Sequence, residues 1–113
     1  SGDTYRMTLM EEGIQESFDL HAGESETSRM LAIAPETVHM DRAVDCIPSV
    51  PRSYLSYGSI FRASPSGVWG EPSRATAEKG EKIFERTAEI AVAELSKAFS
   101  YMESKEKFNY SYF

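Results

Sequence analysis

The stretch His-Ala-Gly-Glu-Ser-Glu-Thr-Ser at residues 21–28 crowds one imidazole and two carboxylates among small neighbours. Ala22, Gly23 and Ser25 let backbone or ligand approach, while His21, Glu24 and Glu26 bring groups that move protons and attract cations. A histidine beside ionised glutamates has its imidazolium stabilised, which suits acid–base work near neutral pH. The glutamates are equally hard oxygen ligands for Zn²⁺, Mn²⁺ or Fe²⁺. A hydrolytic metal site needs about three protein ligands and a water. The chain has only 2 histidines, in neither His-Glu-x-x-His nor Cys-x-x-Cys context, so these residues are part of a site.

Other candidates read more plainly. His39 follows a proline-initiated turn with no second ligand type at useful spacing, and Met30 and Met40 read as packing. Trp69, with Gly67 and Gly70 on either side, is either a stacking surface for a planar ligand or core. Cys46 is the sole cysteine, which excludes an internal disulfide and fits a reducing compartment. In its apolar run it reads as packed rather than reactive. Ser1 as an N-terminal nucleophile is conceivable, although Ser-Gly is also a common processing scar. Neither a glycine-rich phosphate loop nor a Gly-x-Ser-x-Gly elbow is present.

These groups must be positioned by a small chain. At 113 residues it is one domain or part of one. A net charge of −6 disfavours nucleic acid or an anionic membrane as partner. No run is long enough to span a bilayer, and no signal peptide is recognisable, so a cytoplasmic location is expected.

A helix is predicted from Thr27 or Ser28, either hydroxyl serving as cap, to Pro35, which ends it. That puts Glu24 and Glu26 at a helix N-terminus, where the dipole favours negative charge. The segment 4–10 reads as a short strand or a helix end, and 54–63 as a strand or hairpin arm. Residues 64–67 form a turn within a long proline- and glycine-punctuated stretch. From Ala77 to Phe99 a helix is predicted, capped by Thr76, with Ile83, Phe84, Ala88, Ala91, Leu95 and Phe99 on one stripe. Gly80 weakens its first turn by about 1 kcal/mol. The aromatic tail at 108–113 packs on a neighbour or frays. These elements suggest α/β, yet they are too few for a free-standing domain of that class.

The run His21-Ala22-Gly23-Glu24-x-Glu26-Thr27-Ser28, then Met30-Leu31 and Pro35-Glu36-x-Val38, resembles the creatininase (creatinine amidohydrolase) family. Ser66-Gly67-Val68-Trp69-Gly70-Glu71-Pro72, followed by Ala75-Thr76-Ala77-Glu78-Lys79-Gly80, is similar to that family's C-terminal Gly-Val-Trp/Phe-Gly-Asp-Pro loop and the helix after it. The resemblance implies a three-layer α/β fold, to which this chain contributes a few strands and the long C-terminal helix. It also implies a hexamer or other oligomer, and hydrolysis of a C–N bond in a small cyclic amide, formamide or peptide. Two adjacent divalent ions (Zn, Mn or Fe) are implied as cofactors. Their ligands lie mainly in N-terminal motifs, Glu-x-His and Asn-Gly-His, that do not occur here. Residues 1–113 are therefore expected to be the C-terminal portion of one creatininase-like domain, completed by a separate N-terminal chain.

By the same resemblance His21 matches the family's proton shuttle. Glu24 stands where creatininase proper has an apolar residue, and is inferred to supply a metal ligand otherwise provided by the Asn-Gly-His region. Glu26 would orient His21 or the helix start. Trp69 and Gly23 would line the substrate pocket. The leading expectation is a metal-dependent amidohydrolase. Its rivals are a maturation peptidase acting on a small peptide and a non-catalytic scaffold subunit that has lost the metals.

Overall fold

The computed structural model describes residues 2–15 and 18–104, which leaves Ser1 and the aromatic tail outside the described residues. Helix α1 spans Gly2–Glu11, α2 Glu24–Ile33, the short α3 Ile60–Ala63 and α4 Ala77–Glu103. Between them run 3-10 turns at Pro35–Thr37, Met40–Arg42, Arg52–Ser56 and Pro72–Arg74. No β-strand occurs among the described residues, where extended pairing is limited to isolated bridges joining His21 to Trp69 and Cys46 to Gly70. The expected three-layer α/β architecture with a few strands is overturned.

The reason lies in where backbone groups find partners. A strand needs a neighbour to take its N–H and C=O groups, and an isolated pair of strands is marginal in water. The segment 54–63 has aromatic and β-branched residues but no such neighbour. It closes its bonds locally instead, with Ser59 Oγ accepting from Phe61 N at 3.2 Å to cap α3. The segment 4–10 is helical, because Tyr5, Thr8 and Leu9, three and four residues apart, share the face turned inward.

Helix α2 begins at Glu24, earlier than the hydroxyl caps suggested, with Gly23 as N-cap. Ser28 is instead buried inside the helix, where its Oγ accepts from Thr76 N at 3.2 Å. Thr76 does cap α4 as expected, accepting from Lys79 N at 3.1 Å. Pro35 follows the end of α2 as expected, and the turn at 64–67 closes with Gly67 N donating to Ser64 O at 2.9 Å.

The first turns of α4 pack on α2 with almost nothing between them. A Cβ at Gly80 would overlap the Ser28 carbonyl and lie 2.9 Å from Ala32 Cβ. This glycine therefore sets the approach of the two helices, and its cost in propensity is offset by contact. Helix α1 crosses α4 slightly further along. Leu9, Ile14 and Ile83 form a buried cluster with Tyr5 against it. The Thr87 hydroxyl donates to Thr8 Oγ1 at 3.3 Å, and Arg86 Nε donates to Glu11 at 3.0 Å. Those Glu11 hydrogen bonds, and after them Glu89, raise the Arg86 pKa above its usual value. Arg29 of α2 lies 5.0 Å from the centre of the Tyr5 ring, a cation–π contact.

This core is small for the chain. The radius of gyration is 18.5 Å and the extents are 57 × 35 × 22 Å, whereas a compact domain of this length has a radius of about 13 Å. None of the helices among the described residues is long and apolar enough to cross a membrane.

Candidate functional site

The two motif loops, 48 positions apart from His21 to Trp69, meet backbone to backbone. Leu20 N and His21 N donate to Trp69 O at 2.8 and 3.1 Å, and Trp69 N donates to His21 O at 2.9 Å. One residue on, Cys46 N donates to Gly70 O at 3.0 Å and Gly70 N to Cys46 O at 2.8 Å. Three loops are thus laced together by main-chain bonds that any sequence could make. What makes the site specific is the room beside them. A Cβ at Gly70, whose φ is +153°, would lie 2.7 Å from Gly23 Cα. Gly23 and Gly70 are therefore required by the crossing itself. Ala22, between His21 and Gly23, adopts φ +51°, a left-handed conformation costing a non-glycine residue about 1–2 kcal/mol.

Residues that the sequence did not single out hold these loops. Asp19 Oδ2 accepts from Ser25 N at 3.3 Å and from Ser25 Oγ, fastening the start of α2. Asp45 Oδ1 accepts from Ser73 N at 2.9 Å, and its other oxygen from Ser73 Oγ. These bonds pin the turn after the Trp69 loop beside the Cys46 bridge. Asp19, two residues before the motif's His21, was the available signal, whereas Asp45 lies outside both motifs and had none.

The structure brings the predicted residues together unequally. His21 is exposed, with its backbone fixed by Trp69. Trp69 is buried, with 2% of its surface exposed. Its remaining surface lines a groove of about 590 Å³ with Phe18, Ile47, Pro48, Pro51 and the arginines Arg6 and Arg52. Gly23 is buried in the crossing, and Glu26 is half-buried in the first turn of α2. His39 lines a separate groove with Ala22, Thr27 and Val68. Cys46 is half-buried and free, consistent with packing.

Glu24 has a different neighbourhood from the one expected. Its side chain is 8% exposed, and Lys79 Nζ sits 2.5 Å from Oε1, with Arg74 Nε 3.7 Å from Oε2. Lys79 also donates to Arg74 O at 3.0 Å. A buried carboxylate requires a compensating cation or hydrogen bonds, and here the first turn of α4 supplies the cation. Glu24 joins Asp19, Glu71 and Arg74 along a cleft of about 320 Å³. Among the described residues, no three His, Cys, Asp or Glu side chains gather into a group that could hold a metal ion. With Glu24 already neutralised, this chain's own donor set does not fit a pair of divalent ions.

The comparisons with known proteins show the family that the sequence resembles. The sequence model of the creatininase family, described as creatinine amidohydrolase, matches residues 3–95. The mycofactocin precursor peptide peptidase of Mycobacterium ulcerans is 36% identical over 87 residues, covering 70% of this chain and 33% of that protein. Its namesake in Mycolicibacterium smegmatis is 40% identical over 70 residues, 58% of this chain and 28% of the relative. The chain thus spans about a third of the length of the curated relatives it matches. No solved structure matches it.

Proposed function

The chain belongs to the creatininase family, and we propose that it is the C-terminal portion of a hydrolase that cleaves a C–N bond in a short peptide. The rest of the family fold completes the enzyme. The observation that carries this reading is the reciprocal backbone pairing of His21 with Trp69, which ties the exposed His21 to a residue that lines a groove of about 590 Å³. The relatives are named peptidases, which favours the peptide over a small cyclic amide.

The chemistry proposed for this chain is proton transfer. Water adds to the amide carbon and loses a proton. His21 accepts it and delivers it to the departing nitrogen as the C–N bond breaks, leaving a carboxylic acid and an amine that then ionise to carboxylate and ammonium. An imidazole suits both halves of that transfer near neutral pH. Trp69 walls the groove and fixes the His21 backbone, and Glu26 orients the start of α2 beneath it. Family members depend on metal ions that activate water; because the donor set here does not fit them, their ligands belong to the N-terminal portion.

The engagement of Glu24 by Lys79 favours one second reading, a scaffold subunit without metals. Metal content in the assembled protein separates the two. The test of the leading reading is His21→Ala in the assembly, assayed on unstructured peptides and on creatinine. Peptide turnover is expected to fall by about 10²–10⁴-fold with metal content unchanged. Unaltered turnover would remove His21 from the reaction, and cleavage of creatinine but not peptides would reverse the substrate class.

A further inference from the structure

Helix α2 begins without a cap of its own. Its N-cap is Gly23, which has no side chain to accept from the free N–H groups of the first turn. Asp19 supplies that acceptor from outside the helix, its Oδ2 taking Ser25 N at 3.3 Å and Ser25 Oγ. A carboxylate is also the favoured charge at a helix N-terminus. Asp19 is itself held, its N–H donating to Gln15 O at 3.1 Å. The other oxygen is placed differently. Oδ1 is buried and has no hydrogen-bond partner among the described residues. It stands in the space that two glycines leave open. A Cβ on Gly23 would overlap it, and a Cβ on Gly70 would lie 3.0 Å from it. One carboxylate thus stands against the start of α2, the His21 loop at Gly23 and the Trp69 loop at Gly70.

Resting on the reading of His21 as the group that moves the proton, we propose that Asp19 is the positioning residue for that histidine. The bond from Asp19 to Ser25 closes the segment 19–25 into a loop that contains His21 and Ala22. Ala22 sits at φ +51°, and a non-glycine residue keeps that conformation only where its surroundings over-determine it. Asp19 restrains the chain on both sides of it. The same carboxylate wedges the crossing of Gly23 with Gly70, so it sets the His21 loop on the Trp69 loop. Burying an acceptor without a donor costs stability, and such costs are retained where geometry serves function. A catalytic group misplaced by about 1 Å loses about 10²-fold in rate. That is the scale on which Asp19 matters.

The test is a double-mutant cycle on turnover, with amide exchange measured beside it in the 113-residue chain. In the complete enzyme acting on unstructured peptides, Asp19→Ala should lower kcat about a hundredfold and leave KM unchanged. Asp19→Asn keeps the size of the side chain and an oxygen for Ser25, and should bring kcat back to within about fivefold of the unaltered enzyme. Because Asp19 acts through His21, adding Asp19→Ala to His21→Ala should lower kcat no further. In the free chain the His21 and Trp69 amides, which form the reciprocal pair, should exchange about tenfold faster in Asp19→Ala. In Asp19→Asn they should exchange at the unaltered rate. If Asp19→Ala does not fold, Ser25→Ala removes one half of the same tie and should speed the same two amides. The proposal is overturned if those amides are unaffected, or if kcat per folded molecule is unchanged in Asp19→Ala. A full further loss on top of His21→Ala also overturns it, since Asp19 would then act on something else. Turnover that falls in His21→Ala but not in Asp19→Ala ends this proposal alone. Turnover unaltered in His21→Ala ends the role of that histidine, and this proposal with it.

Discussion

The two ends of α4 differ in what holds them. Near Gly80 the helix lies against the Ser28 backbone, with Thr76 bonded to Ser28 and Lys79 paired to Glu24. Beyond Thr87 it carries larger apolar side chains, yet Val92, Leu95, Phe99 and Met102 stay exposed. The end with the smaller side chains is the one that is packed. Close backbone contact and polar locks fix the site-bearing loops without help from a large core. Hydrophobic size without a partner fixes nothing.

The most disruptive single change should therefore be a methyl group at the packed end. Gly80→Ala in an exposed helix would be worth about 1 kcal/mol of stabilisation. Here the new Cβ meets the Ser28 carbonyl, and neither backbone can yield without moving a helix. The expected cost is about 3 kcal/mol, at the upper end of overpacking effects, measured by urea denaturation of the chain. The sign is the test: a stabilised Gly80→Ala variant would mean that α2 and α4 do not approach this closely.

A smaller effect is expected at the polar lock beside it. Lys79→Met leaves the buried Glu24 carboxylate with only Arg74, 3.7 Å away. Breaking a fully buried pair costs about 3–5 kcal/mol. Lys79 is 27% exposed, so about 2 kcal/mol is expected after allowance for solvent screening. Adding Glu24→Gln should recover much of that loss, because the stranded charge is gone. Recovery in the double variant marks the pair as a structural lock. Loss of metal from the assembly on Glu24→Gln, with stability unchanged, would return Glu24 to the ligand role.

Sequence periodicity announced α4 and its Thr76 cap, but not which face would be buried. The stripe through Phe84, Leu95 and Phe99 follows the largest apolar residues. Burial follows Gly80 and Ile83, because the approach to α2 selects the helical face. The strand expected at 54–63 failed because aromatic and β-branched content marks a suitable surface rather than a partner, while 4–10 took the helical one of its two readings. For the site, both motifs were legible and their meeting was not. The contacts between His21 and Trp69 are made by main chain, which leaves no mark in residue type. Nor does anything local to Glu24 point to a lysine 55 residues away.

The smallest effect is expected where the side chain is largest. Phe99→Ala removes a ring that is 59% exposed, and a surface substitution of this kind usually changes stability by no more than about 0.5 kcal/mol. In the free chain its denaturation midpoint should match that of the unaltered protein. If the stripe is covered in the assembly, the same change becomes a large-to-small core substitution costing about 3–5 kcal/mol. The gap between those two measurements, one on the free chain and one on the assembly, reads how much of α4 is core only by virtue of a partner. A large loss in the free chain would show that the distal helix is already packed within it, and the contrast between the two ends of α4 would disappear.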